Sequence, residues 1–234
     1  MSEPAGVLGI RFDKIDKRYG GLYALRRVSL EIAKGECVAL VGRNGSGKTT
    51  LLRIAARLAR PTSGTVTFVG GPAGDDSCVT PVGFVAHATM LYDELSAEEN
   101  LLLFGRLLGV PEVSLRVAEM LGETGLYDRR ASMLRTFSRG MRQRVAVVRA
   151  LLHRPSVLLL DEPATGLDSV SVEWLARTLR QLRDSGCTIL MSLHSESEIS
   201  ALATRAVRLD AGAVAGDSAT AGSVGAILSW SVAG

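Results

Sequence analysis

The chain has 234 residues, 47% of them hydrophobic, enough to bury a sizeable core in one large α/β domain or in a core with a small inserted subdomain. Its formal charge of +3 arises from lysines and arginines interspersed with acids, so the basic footprint of a nucleic-acid-binding protein is absent and no nucleic-acid partner is expected. Cys37, Cys78 and Cys187 stand far apart and outside any CxxC spacing, which excludes a zinc site, argues against a disulfide framework and fits a reducing, cytosolic compartment.

At the start, "MSEPAGVLGIRF" has no basic stretch followed by an apolar one, so no secretory leader is expected. No window anywhere approaches the ~18 to 20 apolar residues that span a bilayer, and any membrane role is expected to come through a partner. Alternation in "RRVSLEI" (26–32) and in "GTVTFVG" (64–70) predicts antiparallel strands beside a parallel core. Between them, "ECVALVG" (36–42) is an apolar strand running into glycines. "KTTLLRIAARLA" (48–59) then carries Leu51, Leu52, Ile54, Ala55 and Leu58 at helical spacing, with Pro61 as its stop. A short strand at "FVA" (84–86) leaves His87 where the chain departs from it, and a lone histidine between Ala86 and Ala88 reads, by itself, as a packed side chain.

Ser96 and Glu99 stand in capping-box spacing at the head of a helix over 96–109, which Gly109 is placed to end. A second helix follows Pro111 and a third opens at Ser138, so a helical insert is expected over about 93–152. "VLLLD" (157–161) has the continuous apolar run of a strand buried on both faces, and "TILMSLH" (188–194) reads as its neighbour. This order belongs to a doubly wound sheet whose ligand site lies at the carboxyl ends of the strands. The small-residue end, "AGAVAGDSATAGSVGAILSWSVAG", reads as a closing hairpin and a loosely held tail, with the domain taken as 1–212 and the tail as 213–234.

The chemistry gathers at those strand ends. "GRNGSGKTT" (42–50) fits GxxxxGK[ST], with the strand before and the helix after that the motif requires. Gly42, Gly45 and Gly47 let backbone N–H groups turn inward around an anion, and Arg43, Asn44, Ser46 and Thr50 belong to the same cradle. Lys48 reaches the β and γ phosphates, and Thr49 offers its hydroxyl to magnesium. In "VLLLDEP" (157–163), Asp161 is placed to hold the magnesium shell, while Glu162, nearer the open end, can orient water for in-line attack and accept its proton. Alone, that acidic pair could be an N-cap cluster before the helix expected near 169, a reading that the neighbouring phosphate loop disfavours. No NKxD and no DxxG after a strand is present, so the site lacks the marks of a GTPase.

With "FSRGMRQR" (137–144), "KRYGGLYALRRVSLEI", "DEPATGLD" and "LMSLHS" beside these motifs, the sequence resembles the ATP-binding subunit of ABC transporters over residues 10–212. The resemblance implies a P-loop NTPase with a RecA-like core, an antiparallel β subdomain and a helical subdomain. It implies that Tyr19 stacks on adenine, that Ser138 and Gly140 face the γ phosphate of the nucleotide held by a second copy, and that Asp168 links the two sites. His194 would contact the γ phosphate and, with Glu162 and Lys48, form the catalytic set. Two copies would sandwich two ATP and drive an integral membrane subunit from the cytoplasmic face. Phe137, Arg139 and Met141 depart from the family's LSGGQ signature, and Met141 cannot make the glutamine's polar contacts. His87 stands where most of the family has a glutamine reaching magnesium and the attacking water. Two stretches around His87 and Ser138 look like the haem-exporter ATPase of cytochrome c biogenesis. The alternatives are an exporter of lipids or drugs, a soluble ABC-type ATPase, and a module that binds nucleotide without hydrolysis.

Overall fold

The computed structural model describes residues 8–68 and 81–221. Cys78, the leader reading at residues 1–7, the end of the strand expected over 64–70, and the last part of the tail therefore lie outside the described residues.

β1 (Leu8–Tyr19) and β2 (Leu22–Ala33) pair antiparallel across a tight turn at Gly20 and Gly21. β3 (Cys37–Val41) begins a second sheet and runs through residues 42–47 into α1 (Lys48–Ala55), after which β4 (Ser63–Phe68) returns to pair antiparallel with β1. β5 (Val82–Val85) leads into three helices, α2 (Ala97–Leu107), α3 (Val113–Glu123) and α4 (Arg139–Leu151). The chain then alternates β6 (Val157–Asp161), α5 (Ser169–Asp184), β7 (Thr188–Ser192), α6 (Glu196–Leu202) and β8 (Arg205–Asp210), and closes with β9 (Ala213–Asp217) and α7 (Ser218–Ala221). Among the described residues the sheets have the orders β2-β1-β4 and β5-β6-β7-β3-β8-β9, the latter parallel except for its edge strand β9.

The period of two along a strand divides the core into two layers. Val38 and Leu40 of β3, with Val157 and Leu159 of β6, pack on α1 and the antiparallel sheet; Ala39, Leu158 and Leu160 face α4 and α5 on the other side. The central strands are buried on both faces, as their continuous apolar runs require. The register puts Leu40 opposite Ser192 and Asp161 opposite Ser192, so the carboxyl ends of β3, β6 and β7 stand side by side.

The helices of the insert begin and end where their caps place them. Ser96 and Glu99 make both reciprocal bonds of a capping box, at 3.1 and 2.8 Å. Gly109 takes a left-handed turn (φ 66) past the end of α2, with the Val110 N–H closing on the Gly105 carbonyl.

Two boundaries differ from the sequence reading. α1 stops at Ala55, short of residue 59, because Arg57 turns left-handed (φ 58) and the Leu58 and Ala59 N–H groups both fold back onto the Arg53 carbonyl. Leu58, expected on the buried face, is 61% exposed. Residues 213–221 are not loosely held: β9 pairs with β8, and Arg205 binds Asp217 through Nε and a terminal nitrogen at 2.9 and 2.6 Å while reaching Glu36 at 3.0 Å. The Ser218 hydroxyl also accepts the Ala206 N–H at 3.0 Å. The expected closing hairpin is formed by β8 and β9, and the chain through residue 221 is held to it by one arginine and backbone pairing rather than by large apolar side chains.

Candidate active site

The loop between β3 and α1 is set by crowding. Gly47 (φ 108) caps α1 with no side-chain bond, and a Cβ there would sit 2.7 Å from both the Ala24 carbonyl and the Leu25 side chain, so β2 presses directly on the loop. Without a capping side chain, the first N–H groups of α1 remain available to an anion. The Gly212 N–H bonds the Ser46 carbonyl, and among the described residues the buried Ser46 hydroxyl has no hydrogen-bond partner, an orphan that a phosphate oxygen in the cradle would satisfy. Lys48 is buried, its ammonium folded onto the carbonyls of Gly42 (2.7 Å) and Arg43 (3.1 Å). Burial pushes its pKa down, against the opposing pull of Glu162 and Asp161.

At the end of β6, the buried Asp161 accepts the Thr49 hydroxyl at 3.0 Å and the Ser192 hydroxyl at 2.8 Å through the same oxygen. Thr49 and Asp161 together are hard oxygen donors of the kind magnesium takes. Ser192 also accepts the Glu162 N–H at 2.8 Å, and this bond anchors Glu162 in a left-handed conformation (φ 54) that a residue with a Cβ rarely adopts. The Glu162 carboxylate lies between two imidazoles, with His194 Nε2 at 2.6 Å from one oxygen and His87 Nδ1 at 3.1 Å from the other. Burial alone would raise the Glu162 pKa, but the His194 bond and the nearby charges of His194, His87 and Lys48 outweigh it and hold the carboxyl below its ordinary value. A carboxylate so held stays ionised and can orient a water. A cavity of about 470 Å³ opens beside it, lined by His87, Thr89, Arg139, Arg142 and Thr165.

The model of the ABC transporter family matches residues 25–165 of this chain. The ABC transporter ATP-binding protein NatA of Bacillus subtilis is 40% identical over 200 residues, 82% of this chain and 80% of NatA. The chain belongs to the ABC transporter ATP-binding family. It is also similar to the Nod factor export ATP-binding protein I of Cupriavidus pinatubonensis, at 34% identity over 213 residues, covering 89% of this chain and 66% of that one. Among solved structures it matches the dimeric cassette MJ0796 in a post-hydrolysis state bound to ADP and Pi, at 30% identity and TM-score 0.77, over 89% of this chain and 97% of that one. The fold is that of an ABC ATPase, and the enzyme binds and hydrolyses ATP.

In this ABC ATPase the predicted residues fall into two groups. The Gly42–Thr50 loop, Asp161, Glu162, His194 and His87 converge at the strand ends. Ser138, Gly140 and Asp168 instead mark the heads of α4 and α5: the exposed Ser138 caps α4 by accepting the Met141 N–H at 3.3 Å, and Asp168 caps α5 by accepting the Ser171 N–H at 2.8 Å. Gly140 lies so close to α5 that a Cβ would collide with the Ser171 hydroxyl. Among the described residues no hydrogen bond joins these three to the phosphate loop of their own chain. Tyr19 is half exposed at the end of β1, its ring open to solvent beneath Lys17, whose ammonium is 4.8 Å from the ring centre. Arg139, the departure at the signature's first glycine, lays its guanidinium against Gly166.

Sequence reasoning missed Ser192 and Arg149. Ser192 is a fully buried hydroxyl ending an apolar strand, and that single polar residue before "LH" was the available signal. Arg149 is buried within α4, where an arginine in an otherwise apolar run was the equivalent sign.

Proposed function

We propose that this ABC ATPase is the motor subunit of an exporter, working as a dimer on the cytoplasmic face of a membrane with an integral membrane subunit, and that Glu162 orients and deprotonates the water attacking the γ phosphate. One observation carries the reading: the Glu162 carboxylate is fixed between His194 and His87 beside the phosphate loop. In this mechanism Lys48 leaves the loop carbonyls for the β and γ phosphates, and the N–H groups at the head of α1 complete the cradle. Thr49 and Asp161 would hold magnesium, which would neutralise charge developing on the phosphates. Ser192 keeps Asp161 and Glu162 in register. His194 supports the carboxylate from one side, and His87 holds the other oxygen where the family's glutamine would stand. Tyr19 offers a face for adenine.

The exposed heads of α4 and α5 fit surfaces that complete a partner's site, with Ser138 and Gly140 toward its γ phosphate and Asp168 between the two sites. The dimeric state of the MJ0796 cassette supports that arrangement. Export is supported by the name of the Nod factor relative. Haem export, read from two stretches of sequence, draws no support from the relatives named above, and a different cargo is the better reading. No described helix is long and apolar enough to cross a membrane, which leaves the membrane passage to the partner.

Glu162→Gln tests the proposal. It keeps the shape of the side chain and one acceptor oxygen but cannot take a proton, so turnover should be lost while ATP stays bound and the chain runs as a dimer on size exclusion with ATP. A monomer with ATP bound, or wild-type turnover, would overturn it.

A further inference from the structure

His87 sits in a loop with little regular structure, between β5 and α2, and its reach to Glu162 depends on how that loop is held. The holding comes from α4. Arg149, 8% exposed, sends one terminal nitrogen to the Phe84 carbonyl at 3.0 Å and the other to the Met90 carbonyl at 2.9 Å, so its guanidinium grips the chain three residues before and three residues after His87. Met90 is in the left-handed region (φ 52), a conformation that persists in a bulky residue only when its surroundings impose it. The guanidinium stacks 5.1 Å from the centre of the Phe104 ring of α2, which itself stacks on Tyr92 of the same loop. Buried Asn100 closes the far end, accepting the Tyr92 N–H at 2.8 Å and donating to the Tyr92 carbonyl at 3.0 Å. A buried cation that bonds two carbonyls and a ring has been placed for geometry.

We infer that Arg149 is a positioning residue for ATP hydrolysis: by clamping the Phe84 and Met90 carbonyls it fixes the loop that presses His87 against Glu162, and so joins α4, whose head carries Ser138, to the catalytic carboxylate. The inference rests on the reading of Glu162 as the base. It requires that Arg149 act on turnover through His87 and not on nucleotide affinity, which belongs to the loop at 42–50.

The test is a double-mutant cycle in the full chain, with kcat and KM for ATP and the Kd of a fluorescent ATP analogue measured for Arg149→Met, Arg149→Lys, His87→Ala and each pairing with His87→Ala. Arg149→Met should lower kcat about as far as His87→Ala does, on the order of tenfold or more for a misplaced catalytic contact, with analogue Kd unchanged. Arg149→Lys, which keeps the charge but cannot span both carbonyls, should fall between it and wild type. In the His87→Ala background neither change should lower kcat further. Full additivity in kcat, wild-type kcat in Arg149→Met, or a Kd that rises in step with the loss would each overturn the inference. If Arg149→Met does not fold, the Arg149→Lys cycle decides; if neither folds, Arg149 is a residue of the core and the inference is wrong. Glu162→Gln measured alongside separates the two failures, since turnover retained there removes the role of the carboxylate, whereas additivity removes the coupling.

Discussion

Ser192→Ala should damage stability and turnover together. The hydroxyl is fully buried, donates to Asp161 at 2.8 Å and accepts the Glu162 N–H at 2.8 Å. A hydrogen bond to a charged carboxylate contributes about 1.5–3 kcal/mol and one to a backbone N–H about 0.5–1.5 kcal/mol. Alanine deletes both and leaves the Glu162 N–H without that partner, for a loss of about 2–4 kcal/mol. In a chain of this size about 2–4 °C of Tm accompanies each kcal/mol, so nucleotide-free unfolding should move down by roughly 4–16 °C. The same bond holds Glu162 at φ 54, a strained conformation costing on the order of 1–3 kcal/mol. Its relaxation once unanchored would offset part of the lost stability, which puts the expected Tm shift toward the lower end of its range, and would displace the carboxylate. Turnover should therefore fall on the order of tenfold or more, as expected for a displaced catalytic group. ATP affinity, set by the loop at 42–50, should change little. The assays are scanning calorimetry without nucleotide, steady-state kcat, and analogue binding. A variant that melts with wild type and hydrolyses ATP at the wild-type rate would refute the reasoning.

Other consequences are checkable by similar means. His87→Gln should retain more turnover than His87→Ala, because an amide can still donate to the Glu162 oxygen that His87 faces; equal rates for both and wild type would make the imidazole irrelevant to the chemical step. Asp217→Asn should destabilise the chain by about 1–3 kcal/mol at neutral pH, since it breaks a largely buried bond to Arg205. Burial raises the Asp217 pKa, but Arg205 and the Ala219 N–H overcome this and hold it below the ordinary carboxylate value, so its stabilisation is present above the unfolded value and lost as pH falls through the folded one. Urea midpoints should accordingly lose part of their dependence on pH below about 4 in Asp217→Asn, and an unchanged acid limb would contradict the assignment.

The parts of the fold that were legible are those with local chemistry. The run at 157–161 could only be a strand covered on both faces, and Ser96 with Glu99 could mark a helix start because the capping box closes within four residues. The P-loop was legible for the same reason: its glycines, Lys48 and Thr49 act across a short turn between one strand and one helix. What could not be read depends on partners far away in the chain. Arg149 bonds carbonyls more than fifty residues earlier, carbonyls carry no sequence signature, and the closing hairpin, itself expected, is tied down by Arg205 meeting Glu36 and Asp217, a contact that no local pattern announces. The closure of α1 at Arg57 followed from a left-handed turn that no glycine announced. His87 lay between these cases: its position raised the possibility of chemistry, and only the geometry placed it on Glu162.

The central claim, that each ATP is hydrolysed between the phosphate loop of one chain and the head of α4 of another, is tested most directly by mixing two inactive proteins. Ser138→Arg chains keep Lys48, and Lys48→Ala chains keep Ser138, so a mixed dimer contains one intact composite site and one site damaged twice. With equal amounts and free exchange, half the dimers are mixed and each has one site of two, so activity should recover to about a quarter of wild type if the sites act independently. No recovery once mixed dimers are shown to form, or full activity of either variant alone, would contradict a site shared between two chains.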